Sequence, residues 1–396
     1  MRAALLATAS TLVFAATAAS QTTAPARKGQ TSNSSSAAYG QRDDVMRFAD
    51  DVAARHPDLD AGWVREQLAQ ARYVAASARL IMPATAGSAK NWSAYRAIFI
   101  ERSRIAAGAA FWRDNRAWLE RAEERWGVPP EIVVGIVGVE TLYGRITGNI
   151  RTLDALATLG FDFPSGRSDR SPFFREQLEE LLLWCHREGR DPQGVTGSFA
   201  GAVGLPQFMP GSINRYAVDF DEDGRIDLSR ADNAADVIGS VAHYLAAFGW
   251  QRGVPTHYAV AAPVSTADRA TLLVPDIVPS FSPAQFLERG AELPPEARAH
   301  DGLLALVELQ NGSAAPSYVA GTSNFYAVTR YNWSSYYALA VIELGQAVAQ
   351  AVGTRPALPA PAAAPATSPA PELNPPAPAA SPASAASPAS APTSAP

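Results

Sequence analysis

One carboxylate in this chain stands alone in an apolar run. Between Glu131 and Arg145 the only charged side chain is Glu140, in Ile132-Val-Val-Gly-Ile-Val-Gly-Val-Glu140-Thr-Leu-Tyr-Gly-Arg145. Pro129 and Pro130 precede the run, where prolines suit a helix start, and Gly144 stands where such a helix would be capped. A helix apolar on every side is a buried helix. A carboxylate on it is costly unless it is paired or its pKa rises until it carries a proton near neutrality. The second case is what a general acid needs. The first would be a structural Glu neutralised by an arginine such as Arg145, and the helix pattern alone leaves the two readings even.

A second group of carboxylates has the spacing of a cation site. Asp219-Phe-Asp221-Glu-Asp223-Gly224-Arg225-Ile-Asp227-Leu228 begins like a calcium-binding EF-hand loop. Oxygen donors at positions one, three and five, then a glycine for the sharp turn, suit a hard cation. Arg225 at position seven would give only its backbone carbonyl. Position twelve is Arg230 rather than Glu, so the loop departs from the pattern there. The alternative is a solvated acidic turn. The sole cysteine, Cys185, excludes an intrachain disulfide; it falls on the apolar side of a helical pattern with Leu178, Leu181 and Leu182, as a core residue would.

These groups need elements to position them. Val45 to about Ala84 is helical with a turn at His56-Pro57, and Trp92 to Trp126 is helical with an Arg- and Glu-rich face. The Glu140 helix follows, then short helical runs over Leu153–Leu159 and Pro172–His186. Gly197 to Ser212 is a loop punctuated by Gly and Pro. Asn233 to Phe248 is an amphipathic helix, with Val237, Val241, Tyr244, Leu245 and Phe248 on one face. Tyr258–Ala262 and Gly302–Leu309 look like strands, and Tyr336–Val352 is a last helix. The fold class is mainly α (α+β), with a small β-containing subdomain over about 254–327 set between a helical part, about 43–253, and a closing segment, about 328–353.

The two ends are of a different kind. Met1-Arg2, an apolar run from Ala3 to Ala19 and the small-x-small site Ala18-Ala19-Ser20 read as a secretory signal over 1–20, hence a periplasmic destination. The run is short and Ala-rich for a membrane span, an uncleaved anchor being the alternative, and no cysteine near the site offers a lipid anchor. Residues 21–42 read as a flexible leader, and 354–396, almost all Pro, Ala and Ser, as a disordered tail. A net charge of -5 over 396 residues gives no sign of nucleic-acid binding.

Five segments in order carry a resemblance: Val139-Glu140-Thr-Leu-Tyr-Gly144-Arg145; Gly197-Ser198-Phe-Ala-Gly-Ala-Val-Gly204-Leu-Pro-Gln207-Phe-Met-Pro210; the acidic loop; Asp236-Val-Ile-Gly-Ser-Val-Ala-His-Tyr244; and Asn324-Phe-Tyr-Ala-Val-Thr-Arg-Tyr331-Asn332. Over roughly Asp43–Ala351 the chain resembles the lytic transglycosylase B family, bacterial enzymes that cleave the glycan strands of peptidoglycan. The resemblance implies a lysozyme-like core with one essential carboxyl, at Glu140. Ordinary glycosidases use two carboxylates, roughly 5 Å or 6.5–9.5 Å apart; Asp154 and Asp162 follow on more exposed-looking patterns and nothing marks either as a partner. The resemblance further implies that Ser198 and Gln207 bind the substrate's N-acetyl group. Tyr244, Tyr331 and Tyr337 would line the cleft with stacking faces and hydroxyls, and Asn332 would hold them or the ligand. Alone, Ser198 reads as a turn residue and Tyr244 as core.

For the acidic loop the resemblance implies a structural calcium ion, no cofactor being required for the chemistry. A carboxylate from the following helix, Asp236, would close the site, with Asp232 as substitute because the connection looks long. Asp236 could instead cap its own helix, as third residue after an Asn233 N-cap. The expected product is a 1,6-anhydro-muramyl sugar. The rivals are a muramidase that consumes water and a non-catalytic peptidoglycan-binding scaffold. Expected partners are peptidoglycan strands and cell-wall synthesis or division proteins, with the chain a monomer.

Overall fold

A computed structural model of the chain describes residues 38–82 and 90–354. The signal over 1–20, most of the leader and the tail from 355 lie outside the described residues. Residues 39–42, assigned above to the leader, belong to the folded body. Tyr39 is buried and donates its hydroxyl to Asp162 at 2.6 Å, and the Arg42 guanidinium pairs with the same carboxylate at 2.7 Å.

Three helices open the body: α1 (Asp43–Arg55), α2 (Ala61–Ala69) and α3 (Ala75–Leu80). The Arg-rich region then divides into α4 (Trp92–Phe99), α5 (Arg102–Asp114) and α6 (Arg116–Trp126). The break between α4 and α5 has a local cause: Glu101 turns back to accept the N–H groups of Ser103 and Arg104, which caps α5. The apolar run forms α7 (Pro130–Thr141), and α8 (Thr152–Phe161) and α9 (Ser171–Arg187) pack together after it. Further on come α10 (Pro210–Tyr216) and α11 (Ala235–Ala247). The small subdomain supplies α12 (Thr266–Leu273), α13 (Pro283–Glu288) and α14 (Pro295–Arg298), and α15 (Ser323–Thr329) and α16 (Ser335–Val352) close the body.

At the centre α7 lies against α16, and both are buried nearly all round. Each fully buried Val, Ile or Leu contributes about 1.5–3 kcal/mol relative to an exposed one. Two glycines allow the approach. A Cβ on Gly135 would lie 2.2 Å from the Val341 carbonyl oxygen, and one on Gly345 would lie 1.9 Å from that of Glu131. Ser334 caps α16 by accepting the N–H of Tyr337, which fixes Tyr337 in the first turn. Cys185 is buried on α9, as expected.

Strands are few. The ladder β1 (Ile150–Arg151) with β2 (Thr196–Gly197) pairs Ile150 with Gly197 and Arg151 with Thr196. It ties the segment that follows the Glu140 turn to the glycine-rich loop. The small subdomain holds an antiparallel sheet in the order β3 (His257–Ala259), β5 (Ala314–Gly321), β4 (Ala305–Asn311). Its core of Leu272, Phe286, Leu293, Leu304 and Leu306 is separate from the main one. The expected strands at Tyr258–Ala262 and Gly302–Leu309 are present, shifted to β3 and β4. The partner between them, β5, carries Pro316 and an Ala-rich start, and lacks the alternation that marks a strand. No helix among the described residues is long and apolar enough to cross a membrane.

Candidate active site

Glu140 sits in the last turn of α7, half-buried, with its carboxyl enclosed by tyrosines. Tyr337 on α16 donates its hydroxyl to Glu140 Oε1 at 2.6 Å. Burial pushes the Glu140 carboxyl up from 4.5 to about 7, and the Tyr337 hydrogen bond works against that rise by favouring the carboxylate. The effect is mutual: burial, then the nearby Glu140 charge, raises the hydroxyls of Tyr95, Tyr331 and Tyr337, that of Tyr95 to about 12. No ion pair to Glu140 forms among the described residues, and Arg145 is exposed. Of the two readings of this helix, the arginine-paired one has no ion pair behind it among the described residues.

The turn after Glu140 differs from the expected glycine cap. The helix ends at Thr141, and Leu142, Tyr143 and Gly144 all take left-handed backbone, at φ 51°, 56° and 87°. Left-handed backbone costs a non-glycine residue roughly 1–2 kcal/mol, so something must hold it. Thr141 does part of this: its hydroxyl accepts the Gly144 N–H at 3.1 Å and lies 3.1 Å from the Leu205 carbonyl. The end of α7 is thereby fixed to the glycine-rich loop.

In that loop Ser198 is buried and its Oγ accepts the Ala202 N–H, leaving the hydroxyl proton without a protein acceptor among the described residues. Gln207 has φ 51° and donates its carboxamide N–H groups to the carbonyls of Thr147 and Gly204, and its Oε1 has no hydrogen-bond partner among the described residues. Tyr331 donates to the Pro206 carbonyl and stacks its ring on Tyr337, with centroids 6.3 Å apart and planes 13° apart. Pro206, Tyr331, Tyr337 and Glu140 therefore form one connected chain of contacts, and Gln207 follows Pro206 in sequence.

The tyrosines are less open than expected. Tyr337 and Tyr244 are buried, and Tyr244 donates its hydroxyl to the Arg330 carbonyl at 2.7 Å while its ring packs on Phe208, Phe248 and Tyr331. They form the wall behind the site rather than free stacking faces; Tyr331 is half-buried. Asn332 is half-buried with Oδ1 unpartnered. Tyr95 is the residue that sequence reasoning missed. It lies on α4 with its ring 5.9 Å from that of Tyr336 at the start of α16, and near enough to Glu140 for that charge to raise its hydroxyl. Asp154 is corrected from exposed to buried: it accepts from the Arg151 guanidinium and the Arg72 N–H. Asp162 is held by Tyr39 and Arg42. Neither is available as a second catalytic carboxylate.

In the acidic loop Asp219, Asp221 and Asp223 each place an oxygen within 4.8 Å of the others. Asp219 accepts the N–H groups of Asp223 and Gly224, and Arg225 donates its N–H to Asp223. Asp221 Oδ1 is buried without a partner. Asp236 stands outside this group. It is buried, and its two oxygens accept the N–H groups of Phe220 and Asp227 at 2.7 and 2.8 Å, so it pins both ends of the loop to α11. The expected Asn233 cap is absent because the Asn233 amide donates to Asp221; Ala234 precedes the helix instead. Asp232, the substitute ligand, is exposed and paired with Arg230. The loop in turn braces the Gly204–Gln207 turn, since Leu205 N–H donates to the Leu228 carbonyl at 2.7 Å.

Residues 40–346 match the transglycosylase SLT domain. The chain is 39% identical over 321 residues to the membrane-bound lytic murein transglycosylase B of Escherichia coli (strain K12), covering 79% of this chain and 84% of that one. The crystal structure of the Escherichia coli lytic transglycosylase Slt35 in complex with calcium is similar at a TM-score of 0.67 and 38% identity, over 79% of this chain and 95% of that chain. That of SltB3 from Pseudomonas aeruginosa in complex with NAG-anhNAM-pentapeptide is similar at 0.64 and 26% identity, over 76% and 77%. The helix-rich body with its small sheets is the lysozyme-like fold of these enzymes, and the chain belongs to the lytic transglycosylase family that carries the SLT domain.

Proposed function

We propose that Glu140 is the single acid and base of a lytic transglycosylase reaction on peptidoglycan. Its protonated carboxyl donates to the glycosidic oxygen between N-acetylmuramic acid and N-acetylglucosamine, and the bond from C1 to that oxygen breaks. The acetamido oxygen of the muramyl sugar holds C1 from the opposite face. Glu140, now a carboxylate steadied by the Tyr337 hydroxyl, takes the proton of the C6 hydroxyl. O6 closes on C1, the acetamido oxygen leaves, and the product is a 1,6-anhydro-muramyl end. Glu140 is protonated again and no water is consumed, so enclosure of the site favours ring closure over hydrolysis.

The observation that carries this reading is one enclosed carboxyl, hydrogen-bonded by Tyr337 and pushed up to about 7, while Asp154 and Asp162 are both held by other partners. Ser198 would donate to the acetamido carbonyl and Gln207 Oε1 would accept from its N–H. The aspartates at 219, 221 and 223 suit a hard oxygen-seeking cation such as calcium, and the unpartnered Asp221 oxygen supports that fit. Its role is to stiffen the loop that carries Leu228 against the Gly204–Gln207 turn; no step of the reaction passes through it. We place the activity in the periplasm, after export on the signal at 1–20.

The test is mass spectrometry of purified peptidoglycan digested by the mature protein beside Glu140→Gln. Anhydro-muramyl ends from the wild type alone establish reaction and acid together. Ends heavier by one water turn the reading into a hydrolase. Binding without cleavage by either protein makes Glu140 structural.

A further inference from the structure

One half-buried cation near the site has no part in the chemistry above. Arg104 is the third residue of α5, half-buried, with its N–H held by the Glu101 cap at 2.7 Å. Its Nη1 donates to the Gly138 carbonyl at 2.5 Å, two residues before Glu140. Gly138 also receives the N–H of Leu142, the first left-handed residue of the turn. The guanidinium carbon lies 5.3 Å from the centre of the Phe99 ring at the end of α4, and that ring is 5.2 Å from Tyr95. Its Nε is buried without a partner.

A guanidinium with an orphaned donor is an expensive way to fill space, because the lost hydration is not replaced. A methionine would fill much the same volume without that cost. What the guanidinium adds is a connection: it gives a second donor to the Gly138 carbonyl at the end of α7, sets a cation at the negative end of that helix, and presents its face to an aromatic ring of α4. Glu140 stands in the last turn of α7, and Tyr95 lies one turn before Phe99 on α4, in ring contact with it. The neighbouring Tyr143 hydroxyl shows how little slack there is, since a Cβ on Gly108 or Gly138 would stand 2.3 or 2.4 Å from it.

We propose that Arg104 is a positioning residue that ties the end of α7 to α4 and so fixes Glu140 relative to Tyr95. The proposal rests on Glu140 as the acid. It acts through backbone placement and does not touch substrate.

The experiment measures kcat and KM of the mature protein on purified glycan strands for Arg104→Met, Arg104→Lys, Tyr95→Phe and the Arg104→Met/Tyr95→Phe double variant, with Glu140→Gln beside them. The expected result is a fall in kcat of about tenfold for Arg104→Met with KM within about twofold, because positioning acts on the transition state. Arg104→Lys, which keeps the charge and a donor, recovers most of that loss. The double variant loses less than the product of the single losses, because the two residues act on one geometry. Wild-type kcat in Arg104→Met overturns the proposal, and so does a loss that lysine fails to restore and that multiplies with Tyr95→Phe. If Arg104→Met does not fold, Phe99→Leu, which removes the ring beneath the guanidinium, must show the same split between kcat and KM. Activity in Glu140→Gln would sink the assignment of the acid; inactivity there with wild-type kcat in Arg104→Met would sink only the clamp.

Discussion

Glu140 and the Asp219–Asp223 loop hold carboxylates in opposite ways. Glu140 receives one hydrogen bond, from Tyr337, and sits among aromatic rings, so burial outweighs that bond and lifts its pKa to about 7. Asp219 and Asp223 receive backbone N–H groups from their own turn and Asp221 the Asn233 amide, and the three crowd together, two of them half-buried and Asp223 exposed. The first arrangement makes a carboxyl that can give up and regain a proton near neutrality. The second concentrates negative oxygen where a cation can neutralise it. Asp236 is intermediate: burial raises it, yet two backbone N–H groups hold it, and its work is to tie the loop to α11.

The sharpest break of this contrast is Glu140→Gln. Turnover is expected to fall about 10²–10⁴-fold, the range for a lost general acid. Stability should move the other way. The folded-state pKa of about 7 lies above the ordinary 4.5, so the wild type loses stability as pH rises through that window. At pH 8 the variant should therefore be more stable by about 1–3 kcal/mol, with the advantage gone below pH 4.5. Urea melts at several pH values check this; an advantage that persists at low pH would contradict the desolvation account.

Next in size is Gly345→Ala. The added Cβ meets the Glu131 backbone, so α16 must shift from α7. A loss of about 3 kcal/mol is expected, with turnover falling as Tyr337 leaves Glu140. Calorimetry with wild-type melting would show that the two helices have room to spare.

The acidic loop predicts a smaller effect. Millimolar calcium should raise the melting temperature, by the linkage of binding to folding, and Asp221→Asn should abolish most of that rise. A calcium effect on turnover at temperatures well below melting would contradict a purely structural role. Smallest is Tyr337→Phe. It removes the one bond that lowers the Glu140 pKa, so the alkaline limb of the activity profile should move up by about half to one pH unit. A downward move would mean that water enters and burial was never the dominant effect.

The sequence made Glu140 legible because a lone charge on an otherwise apolar helix has few explanations. The helix starts and the glycine-rich loop were legible for the same local reasons, through Pro130 at the start of α7 and the Gly and Pro residues of 197–212. Tyr95 was not, because its role depends on α4 packing against the start of α16. The stop of α7 was not, because the backbone turns left-handed already at Leu142, where Thr141 holds the turn through the Gly144 N–H and the Leu205 carbonyl. The two-residue ladder that joins Ile150 to Gly197 is too short to carry a period.

Sequence alone therefore determined which residues could do chemistry, since apolar period, turn residues and charge spacing are local properties of the chain. It also determined the family, through five motifs in order. Only the tertiary structure decided which carboxyl keeps its proton and which merely braces a loop. Desolvation, hydrogen bonding and the approach of charges depend on groups distant in sequence, and no local pattern records them. Asp236 and Glu140 both lie on apolar helices, and the difference between them is what the rest of the chain folds against each.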